Sequence, residues 1–439
     1  MINIAFDLCF SKFKDEIKNI TFHSGINVIY GESGVGKSSF LLNLNNPEMD
    51  HIFNFNISNI KYSGKLYHIF QNPDHQLLGR TVLDELSFTG ECNGLPVDEL
   101  KHIVDLSIQK LPNTICTNVN PGILSGGEKE ILNIITSLQI NPDVLLIDDS
   151  LSFLSKQNKK TVVKWLKEWS LNNDSTVIWV TSEKNDFIFG DYTWELCLNS
   201  FEKVDEYKKQ SYLPIKIPKG NLKLEINELN YKYDISREIY SGLSISIKEC
   251  RSLGIIGSNG SGKSTLASIC YRYLSPNDGS LNLSVNDNID LNIGYIDQFP
   301  EHMIQLNTLG EFLKSVIDNK IMDPIIIHTF KNRLLRFGIN WDKIENMRGV
   351  DLPWSVLRTI LIVCLTHSKY DILILDEPTA GLGWNQRLAL RAYLQKCMIN
   401  LHLIIVSHDK DFINSLCDSV INLDKLNSSS LKKIEYEKA

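Results

Sequence analysis

Several short patterns occur twice in this chain, in the same order and at nearly constant offset. GESGVGKS, Gly31 to Ser38, returns as GSNGSGKS, Gly257 to Ser264, 226 positions later. FQNPDHQ, which carries Gln71, is answered by DQFPEHM, which carries Gln298, at an offset of 227. VLLIDD, ending in Asp148 and Asp149, is matched 228 positions on by ILILDE, ending in Asp376 and Glu377. VIWVTSEKND and LIIVSHDKDF then set Ser182 against His408 at an offset of 226. One glycine-rich loop arises easily by chance. An ordered set kept in step over the whole length indicates a tandem duplication.

The 439 residues divide accordingly into a first half at 1–205, a linker at 206–221 and a second half at 222–439. The join falls near FEKVDEYKKQSYLPIKIPKGNL, residues 201–222, where Pro214, Pro218 and Gly220 interrupt a stretch of little apolar periodicity whose lysines read as solvated. Each half opens with alternating β-type segments and passes through an apolar strand into its glycine loop. Short buried runs such as Val144 to Ile147 and Ile372 to Leu375 have the length and flanks of parallel strands. Between them the pattern turns helical, as at Asp98 to Lys110 and Gly310 to Asn319. The fold class expected is α/β, each half having an α/β core, an antiparallel β portion at its start and a helical insert. Trp165 and Trp169 lie one helical turn apart and read as a packing stripe.

Hydrophobic residues at 43% and charged residues at 22% are the balance of a globular protein. A net charge of −7 supplies no global positive field, so no nucleic-acid partner is expected from composition. The nine cysteines contain no CxxC pair and read as small apolar residues in a reducing compartment. Acidic residues at Asp7, Asp15 and Glu16 precede any run long enough for a signal peptide. The longest apolar runs, such as Thr359 to Leu365, fall short of the ~18 to 20 residues of a membrane helix. A membrane role would therefore require other subunits to span it. His23, His51, His68 and His75 show no ligand spacing.

The glycine loops have the form GxxxxGK[ST], in which backbone N–H groups at a helix start wrap phosphates, the lysine adds charge and the hydroxyl binds Mg2+. The candidate phosphate-binding residues are Gly31, Glu32, Ser33, Gly34, Val35, Gly36, Lys37, Ser38 and Ser39 in the first half. Their counterparts are Gly257, Ser258, Asn259, Gly260, Ser261, Gly262, Lys263, Ser264 and Thr265. A carboxylate closing a later buried strand, Asp148 or Asp376, would hold Mg2+ together with Ser38 and Gln71, or with Ser264 and Gln298.

LSGGE, Leu124 to Glu128, lies 24 residues before Asp148 and opens a helical stretch. With both glycine loops and both glutamines, it makes nearly the whole chain resemble the ATP-binding cassette (ABC) ATPases. That resemblance implies ATP and Mg2+ as cofactors and two cassettes packed head to tail. Each ATP would lie between one glycine loop and the opposite signature, here Ser125, Gly126, Gly127 and Glu128. The second half has LPWSV at the corresponding place, Leu352 to Val356. Pro353 has no N–H to offer a phosphate, and Trp354 puts an indole where glycine would allow close approach. The first half is altered elsewhere: Asp149 replaces the glutamate and Ser182 the histidine. Under head-to-tail pairing all these losses fall in one site. The other keeps Glu377 to orient or deprotonate water, His408 to contact the γ-phosphate and Gln298 to sense metal and water.

The resemblance also has departures. The aspartate expected in the loop after each acidic pair is Ser155 in one half and Gly383 in the other. For the aromatic that stacks on adenine, Tyr233 is the candidate in the second half with Tyr231 its rival, while Phe6, Phe10 and Phe13 stay open in the first. Phe70 to Phe88, FQNPDHQLLGRTVLDELSF, resembles the glutamine-loop region of energy-coupling-factor importer ATPases. The second copy is looser but keeps Pro300 and Thr308. This likeness implies a transmembrane coupling subunit and a substrate-binding membrane subunit as partners. The chain itself would be cytoplasmic and peripheral on the inner face of the membrane. The other class open is a soluble twin-cassette factor acting on ribosomes.

Overall fold

The computed structural model describes residues 4–13, 16–46, 54–208, 210–233, 238–299, 301–304 and 307–426. Asp15, His51 and Pro300, singled out above, lie outside them. One unit comprises Met1–Gln210 with Gly381–Trp384, the other Ser211–Ala380 with Asn385–Ala439.

The described strands of the first unit are β1 (Ile4–Phe10), β2 (Ile17–Phe22), β3 (Gly25–Tyr30), β4 (Phe55–Lys61), β5 (Leu66–Ile69), β6 (Val144–Asp148), β7 (Thr176–Thr181), β8 (Tyr192–Cys197) and β9 (Ser200–Lys203). Those of the second are β10 (Leu222–Lys232), β11 (Glu238–Cys250), β12 (Ser252–Ile256), β13 (Asp278–Val285), β14 (Ile293–Ile296), β15 (Ile372–Asp376), β16 (His402–Val406) and β17 (Ser419–Asn422). Strand β1 alternates buried and half-buried residues because only one of its faces meets a core. It sits between β2 and β4 in an antiparallel sheet, as β10 sits between β11 and β13. Every residue of β6, β7, β15 and β16 is buried, the pattern of parallel strands covered on both faces. They build central sheets ordered β5-β6-β7-β3-β8-β9 and β14-β15-β16-β12-β17. The first five strands of one correspond position by position to the other, and β9 adds an antiparallel edge.

The helical inserts fall where expected, at Val97–Ile108 and Leu309–Asp318, within two residues of the sequence bounds. Before them, Thr81 caps Val82–Cys92 reciprocally with Asp84, and Thr308 does the same for Leu309–Asp318 with Glu311. Trp165 and Trp169 pack on the core of the first unit, and the Trp169 indole N–H donates to Asn141 Oδ1 at 3.0 Å.

The join carries aromatic anchors that its sequence does not announce. Phe201, at the end of the first half just before the linker, is buried in β9 and stacks on Trp194 at 5.3 Å. Tyr207 sets its ring edge-on to Phe187, and Tyr212 does the same to Phe412. Isolated aromatics bury as much area as a periodic run of smaller residues, so the lack of periodicity hid these anchors. Lys208, Lys216 and Lys219 are exposed, as expected.

His68 on β5 is 6% exposed, and neither of its ring nitrogens has a hydrogen-bond partner among the described residues. Burial pushes its pKa down to about 4. An unfolded histidine titrates near ~6.5, so between these values the unfolded chain binds a proton that the folded ring refuses. The contribution is fully present above pH ~6.5 and is lost as pH falls toward 4, by about 3 kcal/mol in total. The parent is therefore expected to lose stability relative to His68→Leu between pH 7 and pH 4.5, read as the shift in the difference of their denaturant midpoints; a difference that does not change with pH would contradict it.

Candidate functional site

Each glycine loop leaves a central strand, β3 or β12, and enters a helix, Lys37–Asn45 or Lys263–Cys270. The residue before each helix has a left-handed backbone, Gly36 at φ 96° and Gly262 at φ 94°, which a side chain would strain. Lys37 Nζ donates to the carbonyls of Gly31 at 2.9 Å and Glu32 at 3.3 Å. Lys263 Nζ donates to Gly257 at 3.1 Å and Ser258 at 2.9 Å. Each loop thus curls round its own lysine, with helical N–H groups at its mouth. Burial lowers the Lys37 pKa, opposed by the charges of Asp149, Asp148 and Glu32.

Two supports of the second loop were not found from sequence. Tyr240, buried in β11, donates its hydroxyl to the Gly262 carbonyl at 2.5 Å, and a Cβ on Gly262 would lie 2.6 Å from the Tyr240 hydroxyl oxygen. Asp424 accepts from Ser258 N at 2.8 Å and from its hydroxyl at 2.7 Å. A tyrosine in a strand carries no motif, and a contact 166 positions away leaves no local signal.

The strand-end carboxylates lie beside these loops. Ser38 Oγ donates to Asp148 Oδ1 at 3.0 Å. Burial pushes the Asp148 pKa up to about 6, with Ser38 pulling it back. Asp376 is raised further, to about 7, by burial and then by the charge of Glu377, against the hydroxyl of Ser264. Asp376 Oδ1 is buried without a hydrogen-bond partner among the described residues.

The next residue separates the halves. Asp149 and Glu377 share one left-handed backbone, φ 48° in both. Glu377 accepts from Ser407 Oγ at 2.8 Å and from the His408 N–H at 2.9 Å, while His408 Nδ1 lies 3.0 Å from its Oε2. Burial alone would raise its pKa; His408, Lys263 and Ser407 together outweigh burial and hold it below the usual value. Asp149 accepts from Ser182 Oγ at 2.7 Å and from the Ser182 N–H at 3.2 Å. For Asp149 burial dominates over Lys37 and Ser182, and the pKa is raised. One copy is thus a carboxylate kept ionised beside an imidazole. The other is a shorter acid tied to a hydroxyl.

Around each glutamine the sequence-predicted residues fall as follows. Gln71 precedes Asn72, whose side chain accepts from Asp74 N, and Asp74 pairs with Lys129 Nζ at 2.7 Å on the helix Gly126–Ile140. At the start of that helix Ser125 donates through its N–H and its hydroxyl to Glu128 Oε2 at 2.9 and 2.8 Å. Thr114 takes the other oxygen of Glu128, so this carboxylate serves as a helix cap. Gly126 and Gly127 lie in the first turn. In the second half, Pro353 precedes the helix Trp354–Thr366 and gives it no side-chain cap. The Trp354 indole meets Phe299, the neighbour of Gln298, edge-on at 5.6 Å.

The aromatic candidates now separate by burial. Tyr231 is buried in β10, whereas Tyr233 is 44% exposed with its hydroxyl 3.0 Å from Thr265 Oγ1. Phe6 and Phe10 are buried in the first core, and the side chain of Phe13 lies outside the described residues. Ser155 caps the helix Lys156–Asn173, accepting from the Asn158 N–H at 3.2 Å.

The ABC transporter family matches at residues 18–152 and 240–380. A candidate ABC transporter ATP-binding protein of Onion yellows phytoplasma is 23% identical, covering 93% of this chain and 85% of its own. A candidate HMP/thiamine import ATP-binding protein, YkoD of Bacillus subtilis, is 23% identical over 90% of this chain and 84% of its own. In fold, the chain is similar to a structure of RNase-L Inhibitor, with a TM-score of 0.57 and 17% identity over 92% of this chain and 84% of the other. A model of ribosome-bound archaeal Pelota and ABCE1 gives 0.62 and 18% over 91% and 72%. With two matched cassettes, each built round a glycine loop, the chain belongs to the ABC transporter family and is an ATPase of two ATP-binding cassettes in tandem.

Proposed function

We propose that this ATPase powers a membrane importer of the energy-coupling-factor type, for a vitamin, metal ion or similar micronutrient, and that only one of its two composite sites hydrolyses ATP. The observation that carries the asymmetry is the pairing of Glu377 with His408 against that of Asp149 with Ser182. Head to tail, the Lys263 loop would meet Ser125, Gly126 and Gly127, and the Lys37 loop would meet LPWSV. Glu377 would draw a proton from the attacking water, His408 would contact the γ-phosphate and Gln298 would sense metal and water. Tyr233 would take the adenine. Residues 1–205 and 222–439 serve as working limits of the cassettes.

Mg2+ fits the second site, where the orphaned Asp376 Oδ1 is a hard oxygen beside the Ser264 hydroxyl. Bound there with Gln298, it would neutralise charge on the β- and γ-phosphates.

The importer role is supported by the name of the B. subtilis relative and by the segment round Gln71, where Phe70, Leu78, Leu83 and Phe88 are exposed. Such side chains suit apolar helices of a coupling subunit. No described helix is long and apolar enough to cross a membrane, so spanning would fall to separate subunits and this chain would sit at the cytoplasmic face. The test is purification from native membranes in mild detergent, mass spectrometry of what accompanies the chain, and ATPase assay of the reconstituted complex. Hydrophobic subunits that stimulate hydrolysis are expected. Ribosomal RNA in their place would overturn the reading for the ribosomal alternative.

A further inference from the structure

Arg358 belongs to none of the motifs above, yet it is a fully buried charge at 0% exposure, one turn beyond Trp354 on the helix that carries LPWSV. Its Nη2 donates to the Gln298 carbonyl at 2.7 Å, and its Nη1 donates to the Ala380 carbonyl. Ala380 closes the turn that Glu377 opens, its N–H meeting the Glu377 carbonyl at 3.1 Å. One guanidinium therefore joins the backbone of the glutamine segment to the backbone of the turn bearing the carboxylate. Trp354 on Phe299 adds a second fastening between the same helix and the same segment. In the first half the corresponding residue, 228 positions earlier, is Glu130, which as a carboxylate cannot donate to a carbonyl.

We propose that Arg358 is a positioning residue for ATP hydrolysis, holding Gln298 and the Glu377–Ala380 turn at a fixed separation. The helix whose phosphate-gripping end is lost then acts as a strut within its own cassette. A planar guanidinium suits this task because its fork reaches two carbonyls at once, whereas an ammonium on a flexible stem satisfies one well. The proposal rests on the reading that Glu377 and Gln298 serve hydrolysis.

The experiment uses the full chain with Arg358→Lys and Arg358→Met. It measures ATP hydrolysis against ATP and against Mg2+, binding of a fluorescent ATP analogue, and the thermal midpoint. For Arg358→Lys a fall in kcat of about tenfold to a hundredfold is expected, the scale of a small misplacement of reacting groups, with KM and analogue binding within about twofold. The Mg2+ concentration for half-activation should rise, because Gln298 is no longer held. An unchanged kcat overturns the proposal. So does a loss matched by equal losses in analogue binding and thermal midpoint, which marks mere packing. Should Arg358→Met not fold, the lysine variant decides alone. Glu377→Gln assayed alongside separates the two ideas: if it hydrolyses normally, the underlying reading fails and this one with it. If it is inactive while Arg358→Lys is fully active, only the strut fails.

Discussion

Glu377→Gln is expected to lower ATP turnover by about 10² to 10⁴, the usual contribution of a positioned general base, while ATP still binds. The amide keeps the shape, its oxygen can still accept from the His408 N–H while its NH2 donates to the Ser407 hydroxyl, but it cannot take a proton. Asp149→Asn is expected to leave turnover within about twofold, the range of a change remote from the reacting groups. Its carboxylate is one methylene shorter and tied to the Ser182 hydroxyl, and burial raises its pKa. Phosphate release under saturating ATP and Mg2+ measures both, and equal losses would refute the asymmetry.

The second large effect concerns the signature. Ser125→Arg removes a hydroxyl and fills the space before two glycines, so turnover should fall by about 10² to 10³, the scale of losing donors aimed at developing charge. Pro353→Arg, at the corresponding place in the second half, should change it by less than about twofold, since a proline already offers no N–H there. Ser125 also shares a hydrogen-bond network with Glu128, and loss of an N-cap costs about 1 kcal/mol, so a modest fall in thermal midpoint is expected beside the kinetic loss. Were the two variants to behave alike, head-to-tail pairing would lose its main support.

The cassette architecture was readable because duplicated spacing and fully apolar strands are local signals. Val144–Asp148 and Ile372–Asp376 could hardly be anything else between their flanks. The contrast of Asp149 with Glu377 was readable for the same reason, as two letters at one place in a repeat. What escaped depends on distant packing. Asp424 reaches Ser258, and Arg358 reaches Gln298 across 60 positions, with no pattern to announce either. The choice between Tyr231 and Tyr233 was not decidable by alternation, because residues two apart share a strand face. Their surroundings differ because β10 ends at Lys232, which leaves Tyr233 beyond the strand. The ring contacts of Tyr207 and Tyr212 escaped for a similar reason, since anchoring by single aromatics has no period.

The matched left-handed turn at Asp149 and Glu377 reaches beyond present activity. An unusual backbone of this kind costs on the order of 1 kcal/mol or more, yet both copies have it. If the first site is the quieter one, as proposed, its main chain already has the form of the other, and an acid–imidazole pair there would need two side-chain changes, at Asp149 and Ser182, with no rebuilding of the backbone.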